Sequence, residues 1–303
     1  MRDLKAKILF YIVLLFIASI IGYNIWLSNT KKTEISEIID SKELFYTLAK
    51  GNILKYKSNI HCTLAFDPRE LDMDYLFGEI VDSDTYIGSQ MYEFAYDYRM
   101  HGDLYDINFR FKNPAPHRTF FTKIRVKQIA DVVRDYPDDY SKVKAIHDYL
   151  IILNEYTITM SSAFNTLYTG RSCCNGYAYS FYAIMEELGI PATCEFGGAH
   201  AWNRVELDGE WYNIDLTWDD KGGKEVGYEY FLKSDADWKG HEHGGATAKK
   251  SMEVRGVSAI QNYEAFPNYI LILPCVCFGL ILVILVIYKV WKKIGERNNF
   301  NYY

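Results

Sequence analysis

Cysteine is scarce in this chain: six in 303 residues, two of which (Cys275 and Cys277) fall inside an apolar run near the C-terminus. That is too few for a disulfide-stapled scaffold, so the fold rests on a packed core. No internal repeat or low-complexity tract appears. Positive charge is outnumbered outside the tails, 26 Lys and Arg against 37 Asp and Glu. The formal charge is −6, while the tails hold seven basic residues (Arg2, Lys5, Lys7, Lys289, Lys292, Lys293, Arg297) against two acidic ones (Asp3, Glu296). Their balance of +5 leaves −11 on the stretch between. Such a stretch does not suit nucleic acid or a polyanionic wall polymer, and it is compatible with cationic, amine-bearing peptides.

What the chain does have is two long apolar runs. Residues 8–27 reach the roughly 20 residues that a membrane-crossing helix needs. Arg2, Lys5 and Lys7 precede the run and no clean small-x-small cleavage site follows it, which reads as an uncleaved anchor. Residues 269–288 form a second candidate span, with Lys289, Lys292, Lys293 and Arg297 just beyond. Lys31 and Lys32 oppose the positive-inside rule slightly, but the basic residues after the second span outnumber them. The expected topology is a two-pass plasma-membrane protein with both termini cytoplasmic and the middle outside. Few cysteines and a Lys-, Ile- and Tyr-rich composition suit a bacterial surface protein of the Gram-positive type.

The expected organisation is an anchor over 1–28, an N-terminal α+β region over 29–135, a core domain over 136–267, and a C-terminal span with a short basic tail over 268–303. In the second segment, residues 34–49 read as a helix ending at Gly51. Residues 60–66, 91–98 and 104–111 alternate as strands do, and 123–134 resume a helical period after the break at Asn113-Pro114-Ala115-Pro116.

Three short blocks carry chemistry. The first, Cys174-Asn175-Gly176-Tyr177-Ala178, opens a helical run with apolar residues at Tyr177, Phe181, Ile184, Met185 and Leu188 and a stop at Gly189-Ile190-Pro191. The thiol therefore sits in a helix's first turn, where the dipole favours thiolate and cysteine pKa values fall to roughly 3.5–7.5. The second and third blocks, Gly198-Ala199-His200-Ala201-Trp202-Asn203 and Trp211-Tyr212-Asn213-Ile214-Asp215-Leu216-Thr217-Trp218-Asp219-Asp220, flank the turn signal Asp208-Gly209. With those two as turn residues, His200 faces Thr217 across a hairpin and Asp215 lies diagonally on the same face, within reach of the imidazole. A one-residue slip would put His200 and Asp215 on opposite faces. Thiol, imidazole and carboxylate together are the groups of covalent acyl transfer.

These blocks resemble the transglutaminase-like core of the papain-like cysteine-enzyme superfamily, in its bacterial branch. Its patterns Cys-x-Gly-Tyr-Ala, His-Ala-Trp-Asn and Trp-Tyr-x-x-Asp-x-Thr-Trp-Asp-Asp are all matched in order. Flanking likeness comes from Lys142-Val143-Lys144-Ala145-Ile146-His147-Asp148-Tyr149-Leu150 and Tyr230-Phe231-Leu232-Lys233-Ser234-Asp235, so the resemblance covers about 136–245. It implies an α+β, papain/transglutaminase-like fold in which a helix bearing the cysteine packs on an antiparallel sheet bearing His and Asp. It also implies Cys174 as nucleophile, His200 as general acid/base and Asp215 as its orienting acid, acting on amide bonds of peptides or proteins, cell-envelope ones included. Hydrolysis is narrowly favoured over amine transfer. The alternative is a non-catalytic surface protein of the same fold that binds peptides or membrane partners.

Cys173, Tyr177, Trp202 and Trp218 are the candidates for the substrate cleft. Cys173 departs from the family pattern; it reads as a packed thiol, as do Cys62 and Cys194, rather than half of a strained adjacent disulfide. No cofactor and no metal are expected. His241 and His243, near Asp235 and Asp237, have Gly-rich surroundings and no regular element to fix them. His147 reads as a packed helix residue.

Overall fold

The computed structural model describes residues 33–256 except 91–93, 112–115, 160 and 242–247. The described residues all fall within one compact unit. Among them no helix is long and apolar enough to cross a membrane; the runs expected to span, 8–27 and 269–288, lie outside the described residues.

Among the described residues two large hydrophobic cores organise the unit, with a small third cluster of Val81, Ala163 and Tyr179. The first lies under a four-stranded sheet of order β1-β2-β4-β3, built from β1 (Thr33–Ile39), β2 (Asn59–Leu64), β3 (Phe94–His101) and β4 (Leu104–Phe111). β1 and β2 are parallel, so the chain must cross over between them, and it does so through α1 (Lys42–Ile53). Alternate residues of β2 and β4 (Ile60, Cys62, Leu64; Ile107, Phe109, Phe111) point inward. They meet Phe45, Ala49 and Ile53 of α1, and Leu76 and Ile80 of α2 (Met73–Ser83). Residues 34–49, expected to be one helix, are instead divided between β1 and α1. Ile35, Ile38 and Ile39 satisfy a helical spacing, but the β-branched run pairs with β2, and extended Ser41 (φ −143°) starts the helix afresh.

The second core carries the site. After the four-residue α3 (Thr85–Gly88), four helices follow: α4 (Pro116–Val133), α5 (Asp139–Leu153), α6 (Ala163–Thr169) and α7 (Cys174–Leu188). The short parallel strands β5 (Glu155–Tyr156) and β6 (Arg171–Ser172) lead into α7. A meander of β7 (Ala192–Gly197), β8 (His200–Leu207) and β9 (Glu210–Ile214) packs against α7. Phe181, Ile184 and Met185 of α7 interlock with Val205, Tyr212 and Ile214 of the sheet and with Val143, Ile146 and Leu150 of α5. Each such side chain, fully buried, contributes about 1.5–3 kcal/mol. α4 starts seven residues earlier than the 123–134 expected, at Pro116, which occupies the first helical position where its missing N–H costs nothing.

Candidate active site

α7 presents the thiol because both of its ends are determined. Cys173 is its extended N-cap residue (φ −104°), Cys174 its first residue, and Gly189 closes it in the left-handed conformation (φ 73°). Gly176 lets the first turn sit close to its support: a Cβ there would lie 2.3 Å from Ser172 Oγ and 2.4 Å from Thr166 Oγ1. The hairpin has the expected register, with Leu207 opposite Glu210 and Asn203 opposite Ile214. Asp208 and Gly209 both take positive φ (54° and 77°), the turn geometry that matches strand twist.

The hairpin expected to set His200 opposite Thr217 is corrected at its end. β9 stops at Ile214, Thr217 never pairs with His200, and α8 (Leu216–Asp219) begins with Asp215 as its N-cap. The carboxylate thereby gains backbone donors that a strand would have withheld: Asp215 Oδ1 accepts from the N–H groups of Thr217 (2.8 Å) and Trp218 (3.1 Å). Its Oδ2 accepts from His200 Nε2 at 2.7 Å. The other ring nitrogen of His200 is left free for Cys174, which is near enough for each to shift the other's pKa, while the Cys174 thiol donates to Asn175 Oδ1 at 3.8 Å. The structure thus brings Cys174, His200 and Asp215 together.

Burial and charge set their states. Burial opposes ionisation of Asp215, but the histidine and backbone donors outweigh it and hold its pKa below the usual carboxylate value. Burial likewise opposes charge on His200, yet the bonds to Asp215 and Cys174 raise its pKa to about 9. The two thiols act as a coupled pair. Cys173 is brought down to about 6 by its hydrogen bond with Cys174 and the N–H groups of Gly176 and Asn175, although burial opposes this. Cys174 is pushed up to about 12 by its bond with Cys173 and by burial, with His200 pulling the other way. One proton leaves this pair readily and the second is held, so the low pKa expected of Cys174 alone is a property of the pair.

The remaining candidates separate. Cys173 is buried, and Tyr177 is fully buried with its hydroxyl donating to Asp220 Oδ2 at 2.6 Å, tying α7 to the residue after α8. Trp202 is buried and Trp218 half-buried; they flank His200 with ring centroids at 5.9 and 5.3 Å. Cys62 and Cys194 are free thiols whose pKa values burial pushes up, as packing positions require. Asn203, on the far strand face, donates to the Ala178 and Thr193 carbonyls.

Three features had not been read from the sequence. Tyr156, half exposed, stands close enough to Cys174, Cys173 and Asp215 to feel their charge, beside a cleft of about 490 Å³ that Glu155, Tyr156, Asp220 and Lys221 help to line. His147 does more than pack: it lies fully buried between Asp148 (3.0 Å) and Asp219 (3.3 Å), and Lys144 bonds Asp148 at 2.7 Å, tying α5 to α8. His241 is neither loose nor near the carboxylates expected. Its Nε2 reaches Asp215 Oδ2 at 2.8 Å, whereas Asp235 and Asp237 bond elsewhere; His243 lies outside the described residues. The nitrogens of His200 and His241 and the Asp215 oxygen lie within 4.8 Å of one another, a spacing that fits a metal ion.

Residues 127–216 match the family model of the transglutaminase-like superfamily. Among solved structures, a TGase aligns at 16% identity over 59% of this chain and 59% of its own, with a TM-score of 0.31. A candidate cysteine protease from Cytophaga hutchinsonii aligns at 15% identity over 42% of this chain and 66% of its own (TM-score 0.28). The periplasmic domain of TgpA from Pseudomonas aeruginosa, bound to ethylmercury, aligns at 17% over 44% and 69% (TM-score 0.26). The chain spans less than two thirds of the length of the first two. No curated protein matches it.

Proposed function

The chain carries a transglutaminase-like core over residues 127–216, a cysteine-enzyme-like domain, and on that premise we propose that it is a thiol enzyme acting on amide bonds of peptides or proteins. The observation that carries the reading is the 2.7 Å bond from His200 Nε2 to Asp215 Oδ2, which leaves the imidazole's other nitrogen unclaimed, with the thiol at the head of α7 near enough to shift its pKa. Asp215 orients the ring and stabilises its charged form. His200 in its neutral form, a minority below its pKa of about 9, takes the Cys174 proton, and the sulfur attacks the substrate carbonyl with the α7 N-terminus favouring the developing negative charge. The C–N bond breaks as His200 returns the proton to the leaving amine, giving a thioester. Water, or a second amine, then gives a proton to His200 and attacks the thioester, and sulfur leaves to recover that proton. Hydrolysis is favoured over amine transfer because water is abundant at an open cleft.

Residues 8–27 and 269–288 anchor this domain outside the plasma membrane of a Gram-positive-type cell, both termini inside. One observation favours a second, non-catalytic reading: Cys173 beside Cys174 keeps the latter protonated. An electrophilic amide probe separates the two. It should label the wild-type chain and fail on Cys174→Ala of unchanged fold. Labelling that persists in the variant would move the nucleophile to Cys173 or reject the triad, and a wild type that never labels would favour the binder.

A further inference from the structure

His241 has both ring nitrogens aimed at acceptors. Nε2 lies 2.8 Å from Asp215 Oδ2, and Nδ1 lies 3.4 Å from the Lys239 carbonyl oxygen. A neutral imidazole has one N–H, and the short contact claims it: His241 Nε2–H donates to Asp215 Oδ2, which lowers the Asp215 pKa. The same carboxylate oxygen also faces His200 Nε2 at 2.7 Å. Two imidazoles therefore converge on one buried carboxylate oxygen, and all three donor atoms lie within 4.8 Å of one another. We propose that His200 Nε2, Asp215 Oδ2 and His241 Nε2 form a site for a divalent transition-metal ion of the zinc class, whose occupancy holds the thiol site idle.

Two nitrogens and one carboxylate oxygen are a common donor set for such an ion, with a water completing the shell. The outer contacts also match a ligand site. The Lys239 carbonyl, 3.4 Å from His241 Nδ1, can accept a hydrogen bond from the proton that Nε2 gives up to an ion, and the Thr217 and Trp218 N–H groups hold the other Asp215 oxygen. The His241 and Asp215 side chains are 1% exposed while His200 is 17% exposed, which leaves the open side for water at His200. Trp218 and Trp238 wall the His241 ring at centroid distances of 3.9 and 4.1 Å. Tetrahedral donors at about 2.0–2.2 Å from zinc stand roughly 3.3 Å apart, so His200 and Asp215 part by only about half an ångström when the ion enters.

The inhibitory half rests on the thiol-enzyme reading. Each imidazole binds through a lone pair, so the N–H proton facing Asp215 leaves for solvent or for the opposite nitrogen. His200 can then no longer become imidazolium, and Cys174 loses its proton acceptor.

Cobalt(II) and zinc(II) titrations of the chelator-stripped full chain test this, alongside Cys174→Ala and His241→Gln; glutamine keeps a hydrogen bond to Asp215 and is a poor metal ligand. Wild type and Cys174→Ala should bind cobalt within about twofold of each other, with visible bands and no thiolate charge-transfer absorption. His241→Gln should bind about 10–100-fold more weakly. Zinc should slow alkylation of Cys174 in the wild type and leave His241→Gln unaffected. Absence of binding, equal affinity in His241→Gln, or thiolate absorption lost in Cys174→Ala would each overturn the site. A Cys174 unreactive even in stripped protein would instead sink the thiol reading, with the cobalt titration still judging the ion site.

Discussion

Asp215 holds His200 at 2.7 Å through one carboxylate oxygen while its other oxygen is fixed by two backbone N–H groups at the start of α8. The orienting acid is therefore itself oriented, and its position follows from a helix cap rather than from strand pairing. Asp215→Asn keeps the size and one acceptor but turns a donor or a neutral oxygen toward the imidazole. Acylation of Cys174 by an activated ester should slow by about 10²–10⁴-fold, with the melting temperature lowered because the buried pairing to His200 and His241 is weakened. A rate within a factor of about two of wild type would remove Asp215 from the mechanism.

Cys173 should tune Cys174. The bond between them is the largest influence raising the Cys174 pKa, and it places the readily formed thiolate on Cys173. In Cys173→Ala the neighbour no longer competes for negative charge, so alkylation of Cys174, followed by mass spectrometry, should move to lower pH. A profile unmoved, or moved upward, would show that the two thiols do not share a proton.

Gly176 bears on both stability and the placement of the thiol. Gly176→Ala sets a methyl within 2.4 Å of two hydroxyls and should lower stability by about 1–3 kcal/mol. Ser172→Ala together with Thr166→Ala removes both oxygens and relieves part of this. Calorimetric melting of the single and combined variants measures it, and a neutral Gly176→Ala would mean that α7 is not held so close to Ser172.

The site was only partly legible in the sequence, and the reasons are physical. Local signals with one geometric solution could be read: Asp208-Gly209 determined a hairpin register, and Gly189-Ile190-Pro191 ended α7 where the periodicity stopped. Residues 34–49 misled because isoleucines at 35, 38 and 39 satisfy helical spacing as well as a β-branched edge. Asp215 to Trp218 read as strand because alternation continues through a side-chain cap. His241 carries no periodic signal at all; it meets Asp215 by tertiary packing across 26 residues of chain. The coupling of Cys173 to Cys174 was visible as adjacency, but its direction depends on which backbone N–H groups the first turn offers.

The buried set Lys144, His147, Asp148 and Asp219 gives stability a defined pH dependence. Burial opposes the charge on Asp148, but His147 and Lys144 lower its pKa, so its contribution is complete above about pH 4 and is lost as pH falls and the carboxylate takes a proton. Burial opposes charge on His147 as well, yet Asp148 and Asp219 raise its pKa; its contribution is complete below about pH 6.5 and is lost as pH rises through the raised value. Urea unfolding across pH should give a plateau between those limits with a fall on either side. Asp148→Asn, which strands the Lys144 and His147 charges, should cost about 3–5 kcal/mol at the plateau. In Cys173→Ala, which removes the thiol whose lowered pKa would itself add stability between pH 6 and 9, stability that climbs steadily over that range would contradict a charged His147.

The activated thiol is tested most directly by the pH dependence of iodoacetamide alkylation at Cys174, in a Cys173→Ala background with and without His200→Ala. His200 lowers the Cys174 pKa, so its removal should shift the profile to higher pH and slow alkylation at pH 7. A profile that stays in place when His200 is removed would mean that the imidazole does not act on Cys174, and the thiol site would have no general base.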